Sequence, residues 1–275
     1  MRVRRQSELA AQGRIASIAG GAFTATRWLT QPDGLDFSLS GARTQAAGQF
    51  DLWYKHHWEV NFVRSGSATL EDLTRGHTWP LAPGTLYCVG PSDRHRLTYS
   101  EGSDLQIVSV FDPPIVGDET HDADGAYPRS GDTPKGRDAM FVRTAEDVRA
   151  AGMEAAVGDM ETSLSYLTPA DGLGFSLHVS QLNSGIESNV WFKYHWKANL
   201  ILEGECEVTD LASNTVYRLG ADDLYLVGPE DRHQIRARTD VHILSVFDPP
   251  LAGDEPRDAD GSFPSTGPIP AGPAS

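Results

Sequence analysis

The sequence predicts an all-β protein made of two tandem copies of one jelly-roll barrel. Three observations predict it: an internal repeat at domain scale, many short strand-like segments at intervals of roughly ten residues, and turn signals between them. The repeat is read directly. Val108-Ser109-Val110-Phe111-Asp112-Pro113-Pro114 returns as Leu244-Ser245-Val246-Phe247-Asp248-Pro249-Pro250, and Asp122-Ala123-Asp124-Gly125 as Asp258-Ala259-Asp260-Gly261. Asp33-Gly34-Leu35 returns as Asp171-Gly172-Leu173, and Val89-Gly90-Pro91 as Val227-Gly228-Pro229. The offset is 138 residues through the middle and 136 near the end, a change that one loop around Ser100 to Ser103 accounts for. A period this long is a duplicated domain, not a solenoid.

Taken in order, residues 3–12 and 142–151 read as a short helix or turn. Phe37-Ser38-Leu39 and Phe175-Ser176-Leu177 alternate like half-buried strands. Residues 59–63 and 199–202 are strand-like. Ser65-Gly66-Ser67 and Glu203-Gly204-Glu205 are hairpin turns, because glycine supplies the positive φ such turns need. Residues 68–73 and 206–211 alternate again. Pro83-Gly84 turns the chain into residues 85–89, and residues 104–111 and 241–247 form a last apolar strand. This divides the chain into a first barrel over 1–128, a Gly-, Pro- and charge-rich linker over 129–139, and a second barrel over 140–264. A Pro/Gly/Ser/Ala tail over 265–275 is expected to be disordered.

Composition narrows the function. The apolar fraction of 39% and charged fraction of 22% are those of a soluble globular protein. A net charge of −15, carried mostly by the second half, argues against nucleic acid or an anionic membrane as partner. No apolar run is long enough to span a bilayer. The basic start Met1-Arg2-Val3-Arg4-Arg5 is followed by no apolar h-region, so a cytoplasmic location is expected. Cys88 and Cys206 are not at equivalent positions in the copies, so no disulfide framework is expected.

The chemistry concentrates in Trp53-Tyr54-Lys55-His56-His57-Trp58-Glu59, read with Tyr87 and His95. Glu59, Tyr87 and His95 lie on three separate strand segments, and inward-facing positions of a barrel converge. A carboxylate, a phenol and an imidazole form a mixed N/O set that suits a divalent first-row metal. Spacing alone leaves this open, because a histidine inside a barrel serves as readily in a structural hydrogen bond. The period-two count puts His57 on the face of Glu59 and His56 on the other. The tryptophans Trp28, Trp53, Trp58, Trp191 and Trp196 read as packing.

The second copy discriminates further. Tyr225 and His233 remain, but Lys197 stands where Glu59 stood, and a lysine cation is a poor neighbour for a divalent metal. Arg27 becomes Ser165, Tyr54 becomes Phe192 and His121 becomes Arg257, whereas Glu119 survives as Glu255. Polar losses confined to one copy make the first copy the active half and the second a scaffold or a wall.

At these residues the chain resembles the ectoine synthases, a branch of the cupin superfamily. The segments that carry the resemblance are Trp53 to Glu59, Pro83-Gly84-Thr85-Leu86-Tyr87, Asp93-Arg94-His95 and the run from Val110 to Pro128. The resemblance covers nearly all of each copy. It implies double-stranded β-helix (cupin) barrels, iron(II) held by Glu59, Tyr87 and His95, and a ring-closing dehydration of an N-acylated diamino acid to a cyclic amidine. It places Tyr54, Glu119 and His121 at proton handling, Arg27 at the substrate carboxylate, and Phe23, Ser40, Phe111 and Ser109 in the substrate wall. Members of the family carry one copy and pair as dimers, so this chain is expected to be its own pseudo-dimer or a homodimer. Phe23 stands where the family has Trp, Ser40 and Ala42 where a polar pair with Asn or Thr is expected, and Ser109 where Cys is usual. These departures keep two other readings open. One is a metal-dependent bicupin isomerase or oxygenase acting on a different amino-acid-like substrate. The other is a non-catalytic binder of small molecules.

Overall fold

In the computed structural model, residues 1–157 and 161–273 are described. The chain folds into two compact units, one of residues 9–145 and one of residues 1–8 with 146–272. Both are β-rich and follow one plan. In the first unit a seven-stranded antiparallel sheet runs in spatial order Phe141–Arg143, Leu86–Val89, Trp58–Ser65, Gln106–Asp112, Ser38–Thr44, Phe23–Leu29 and Ile15–Ile18. A four-stranded sheet runs Gly48–Leu52, His95–Tyr99, Ala68–Asp72 and Thr78–Leu81. Leu70 and Leu97 of the small sheet share one buried core with Val63, Val89 and Ile107 of the large one. Neither sheet closes on itself, so the barrel is a double-sheet jelly roll.

The second unit repeats this order with Arg2–Arg4, Leu224–Val227, Trp196–Glu203, Val241–Asp248, Ser176–Leu182, Glu161–Leu167 and Glu154–Val157. Its small sheet runs Glu187–Val190, His233–Ala237, Cys206–Asp210 and Thr215–Leu219. The opening strands are exchanged between the repeats. Arg2–Arg4 pairs with Leu224–Leu226, and Phe141–Arg143 pairs with Leu86–Cys88. Each opening segment is a strand followed by a short helix, Gln6–Leu9 or Ala145–Ala150.

The central strands are buried on both faces. Val60 and Val110 on one face are as inaccessible as Val63 and Val89, which belong to the core between the sheets. Residues 58–63 are therefore all buried, and the polar positions Glu59 and Asn61 that alternate with Trp58, Val60 and Phe62 mark an inner face rather than a solvent face.

Residues 129–139 and 265–272 lie in equivalent places in the two repeats. Trp58 Nε1 donates to the Pro134 carbonyl at 3.1 Å, and Trp196 Nε1 donates to that of Pro270 at 3.2 Å. Gly136 sits against Trp58 with φ +56°, where an added Cβ would lie 2.1 Å from the indole. Gly136→Ala is therefore expected to lower the unfolding free energy by about 1–3 kcal/mol, from backbone strain plus overpacking. Urea denaturation of the two proteins checks this.

Both cysteines are buried and free. No helix among the described residues is long and apolar enough to cross a membrane.

Candidate metal and substrate site

Strand register builds the wall of the site. Arg27 pairs with Ser40, Ser40 with Ser109, Ser109 with Asn61, and Asn61 with Tyr87. Directly opposed residues of antiparallel strands share a face, so these five form one polar row across five strands of the large sheet. One step along, Glu59 pairs with Phe111. Both rows open on a cavity of about 290 Å³. Phe23, Tyr54, His121 and Tyr127 line the same cavity.

Glu59 is only 6% exposed and has no ion-pair partner among the described residues. Burial pushes its carboxyl up to about 7, against opposing contributions from Asn61, Ser109 and Arg27. His95 lies on the small sheet, where it pairs with Leu52 and Asp72, and its ring centroid is 6.1 Å from that of the cavity-lining Tyr54. Its Nδ1 lies 3.3 Å from the Asp93 carbonyl, and its Nε2 is buried without a partner. Burial holds the ring neutral, with its pKa down to about 4. A neutral imidazole that donates through Nδ1 leaves the Nε2 lone pair free, the tautomer a metal-ligating histidine adopts. Tyr87 is buried, and desolvation, with Glu59 adding to it, pushes its phenol well above the ordinary value. Among the described residues there is no group of three or more His, Cys, Asp or Glu poised for a metal. The third donor available beside Glu59 and His95 is the Tyr87 phenol, so the donor set fits a hard to borderline divalent cation.

A second cluster carries proton-active groups. Tyr54 Oη lies 3.0 Å from His121 Nε2. Burial pushes the Tyr54 phenol well above its usual range, so the hydroxyl keeps its proton, and burial, then Arg27, lowers His121 to about 4. Tyr54 is thus the donor and a neutral His121 the acceptor. Tyr127 stacks on His121 with centroids 4.3 Å apart and rings 13° from parallel. It also accepts a hydrogen bond from Arg27 Nη2 at 3.2 Å. The Arg27 guanidinium is 5% exposed, lines the cavity and has no carboxylate at ion-pair distance among the described residues.

The cavity therefore gathers Arg27, Ser40, Tyr54, Glu59, Tyr87, Ser109, Phe111, Phe23 and His121, with His95 behind the Tyr54 ring at a centroid distance of 6.1 Å. Glu119 is not brought to it. Its carboxylate accepts from the backbone N–H of Gly117 at 2.6 Å and from that of Val116. Glu255 does the same with Gly253 and Ala252, so this carboxylate closes a turn in both repeats. His57 does not face the cavity either. The strand begins at Trp58, so alternation does not extend back to His57, whose Nε2 instead meets Ser130 Oγ at 3.0 Å. Two wall residues escaped the sequence reading. Tyr127 becomes Phe263 in the second repeat, the same loss of a hydroxyl that marked Tyr54. Asn61, bonded by Ser109 Oγ at 2.6 Å, is kept as Asn199, bonded by Ser245 Oγ at 2.9 Å.

A family model described as ectoine synthase matches residues 1–131 and again residues 140–267. The L-ectoine synthase of Shouchella clausii is 38% identical over 102 residues, covering 37% of this chain and 76% of that protein. The L-ectoine synthase of Halalkalibacterium halodurans is 34% identical over 125 residues, covering 46% of this chain and 96% of that protein. Among solved structures, the oxalate decarboxylase of Lactobacillus farciminis superposes with a TM-score of 0.61 over 84% of this chain and 82% of that one. At 13% identity this is a likeness of fold, the cupin jelly roll, and of nothing more. With the family model matched along both halves, the chain belongs to the ectoine synthase family.

Proposed function

We propose that the first repeat is the catalytic half of an iron(II)-dependent cyclodehydratase that closes an N-acylated diamino acid to a cyclic amidine. Membership of the family makes the chain an ectoine synthase-like lyase. The substrate, the iron and the residue roles are the proposal. The observation that carries it is one cavity holding a buried carboxylate, a buried phenol, a cavity-facing guanidinium and a phenol–imidazole pair.

The substrate amine attacks the amide carbonyl carbon, a C–N bond forms, and the carbonyl oxygen leaves as water with both amine protons. Glu59, Tyr87 and His95 would hold the metal, which when bound would supply Lewis acidity toward a carbonyl oxygen. Arg27 binds the substrate carboxylate, with Tyr127 fixing the direction of the guanidinium. Neutral His121 takes a proton from the attacking amine, and the Tyr54 hydroxyl beside it supplies one to the departing oxygen. The walls of the cavity would keep the substrate chain bent, with amine and carbonyl in reach of each other. The same reading includes cytoplasmic placement and a chain that is either its own pseudo-dimer or a homodimer.

The test is anaerobic incubation of the full chain and ferrous iron with an N-acetylated diamino acid, read by mass spectrometry. Loss of one water from the substrate is expected. No loss, with iron bound, would overturn the reading. Arg27→Gln is expected to raise KM for that substrate about 10–100-fold, the cost of one charge-assisted contact, with a smaller change in kcat. Steady-state kinetics at saturating iron check it.

A further inference from the structure

The second repeat holds a cavity of its own, and it is built for something else. Its volume is about 80 Å³, against about 290 Å³ in the first repeat. It cannot take the same substrate. Lys197 occupies the position of Glu59 and lines this cavity, its Nζ lying 4.7 Å from the Phe192 ring centroid and 5.0 Å from that of Phe247. Its ammonium makes no hydrogen bond or ion pair with any described residue, while its backbone carbonyl accepts from Asn199 Nδ2 at 3.4 Å. The wall carboxylate, Glu161, is already matched, since Arg257 Nη2 reaches its two oxygens at 3.3 and 3.4 Å. The other titratable groups around Lys197 carry no negative charge. Burial holds His178 to about 3 and His233 to about 4, in both cases with Lys197 adding to the effect, and it pushes the Tyr225 phenol well up.

The lining therefore has one positive charge without a counter-ion. A cation taken out of water and left unpaired is costly, and a bound anion relieves that cost. The space limits the anion to a few heavy atoms, since a water molecule needs about 10–15 Å³ on the same scale. Ser188 adds a hydroxyl at the wall, while Leu182, Ile186, Ile235 and Ile243 give the remainder an apolar lining. A charged head with a short alkyl end matches both parts, whereas an inorganic anion leaves the apolar part unfilled.

We propose that the second repeat is a binding site for a small aliphatic monocarboxylate, with Lys197 as its counter-ion. This site is separate from the catalytic cavity, and its occupancy does not require the metal set of the first repeat.

The test uses acetate as the probe and the full chain, with binding followed by NMR of carbon-13-labelled acetate. Saturable binding is expected in the wild type, unchanged in Glu59→Gln, and weakened about tenfold or more in Lys197→Met, the loss of one charge-assisted contact. Because Lys197 titrates at about 7, wild-type affinity is also expected to fall as pH rises above that value, a result that does not depend on any variant folding. No saturable acetate binding, equal binding by Lys197→Met, or binding that vanishes in Glu59→Gln would each overturn the proposal. Equal affinity for chloride and acetate would overturn the carboxylate assignment.

Discussion

Glu59→Gln is expected to strip the protein of its metal and abolish turnover while leaving the fold intact. The carboxylate is buried, has no cation at ion-pair distance among the described residues, and is forced up to about 7 by its surroundings. A buried acid in that condition is destabilising by itself, and a bound cation is what relieves it. Glutamine keeps the shape and hydrogen-bonding reach but removes the charge. Losing a residue that only orients a metal ligand typically costs about 10–100-fold in metal affinity, and losing a ligand outright is expected to exceed that range. Elemental analysis of anaerobically purified protein should show iron in the wild type and little in the variant. With iron removed from both proteins, the thermal midpoint of the variant should not fall below that of the wild type, because a buried acid has been replaced by a neutral amide. Tyr225→Phe, which deletes the corresponding phenol of the second repeat, should leave iron content unaltered. A Glu59→Gln protein with wild-type iron would sink the assignment of the ligand set. A second metal lost on Tyr225→Phe would sink the reading of the second repeat as metal-free.

Much of this was legible in the sequence because the chain carries its own comparison. Each polar position lost in the second copy, from Arg27 to His121, turned out to line the first cavity. Tyr127 obeyed the same rule and could have been found by it. Glu119 broke the rule by surviving as Glu255, and its carboxylate is spent on backbone N–H groups in both repeats. The resemblance, not the copies, had put it among the catalytic residues. The error with His57 was one of boundary, since period two holds only within a strand and that strand starts at Trp58. The exchange of opening strands left no local signal. Three residues such as Arg2–Arg4 have no readable period, and which sheet they join is decided by distant partners. The segments after each barrel were misleading by composition. Proline and glycine read as linker and tail, but Pro134 with Gly136, and Pro270 with Gly272, are one packing unit written twice around a tryptophan.

Lys197→Met is expected to stabilise the protein, and by an amount that depends on pH in a direction opposite to the usual ion-paired lysine. Burial lowers the Lys197 ammonium to about 7 from an ordinary value of 10.5, and the nearby Arg257 lowers it further while Glu161 opposes. Below about 7 the lysine is charged in both the folded and unfolded chains, so the folded state bears the whole cost of a desolvated cation. Above 10.5 it is neutral in both, and the cost is gone. Between these limits the unfolded chain binds the proton and the folded one does not, so wild-type stability rises with pH. Each tenfold loss of proton affinity on folding corresponds to about 1.4 kcal/mol, but the Lys197 side chain keeps some access to its cavity and rests on two aromatic faces. A gain of about 2–3 kcal/mol for the methionine variant near neutral pH is the expected result. The gap should close as the wild type approaches the pH at which free lysine titrates. Urea denaturation across that range, in buffers free of carboxylate, reads it directly. A gap constant with pH would mean that the lysine is solvated or paired, and that the second repeat conceals no unmatched charge. A gap that narrows on adding acetate at neutral pH would tie the stability of this unit to the anion that its cavity is shaped to hold.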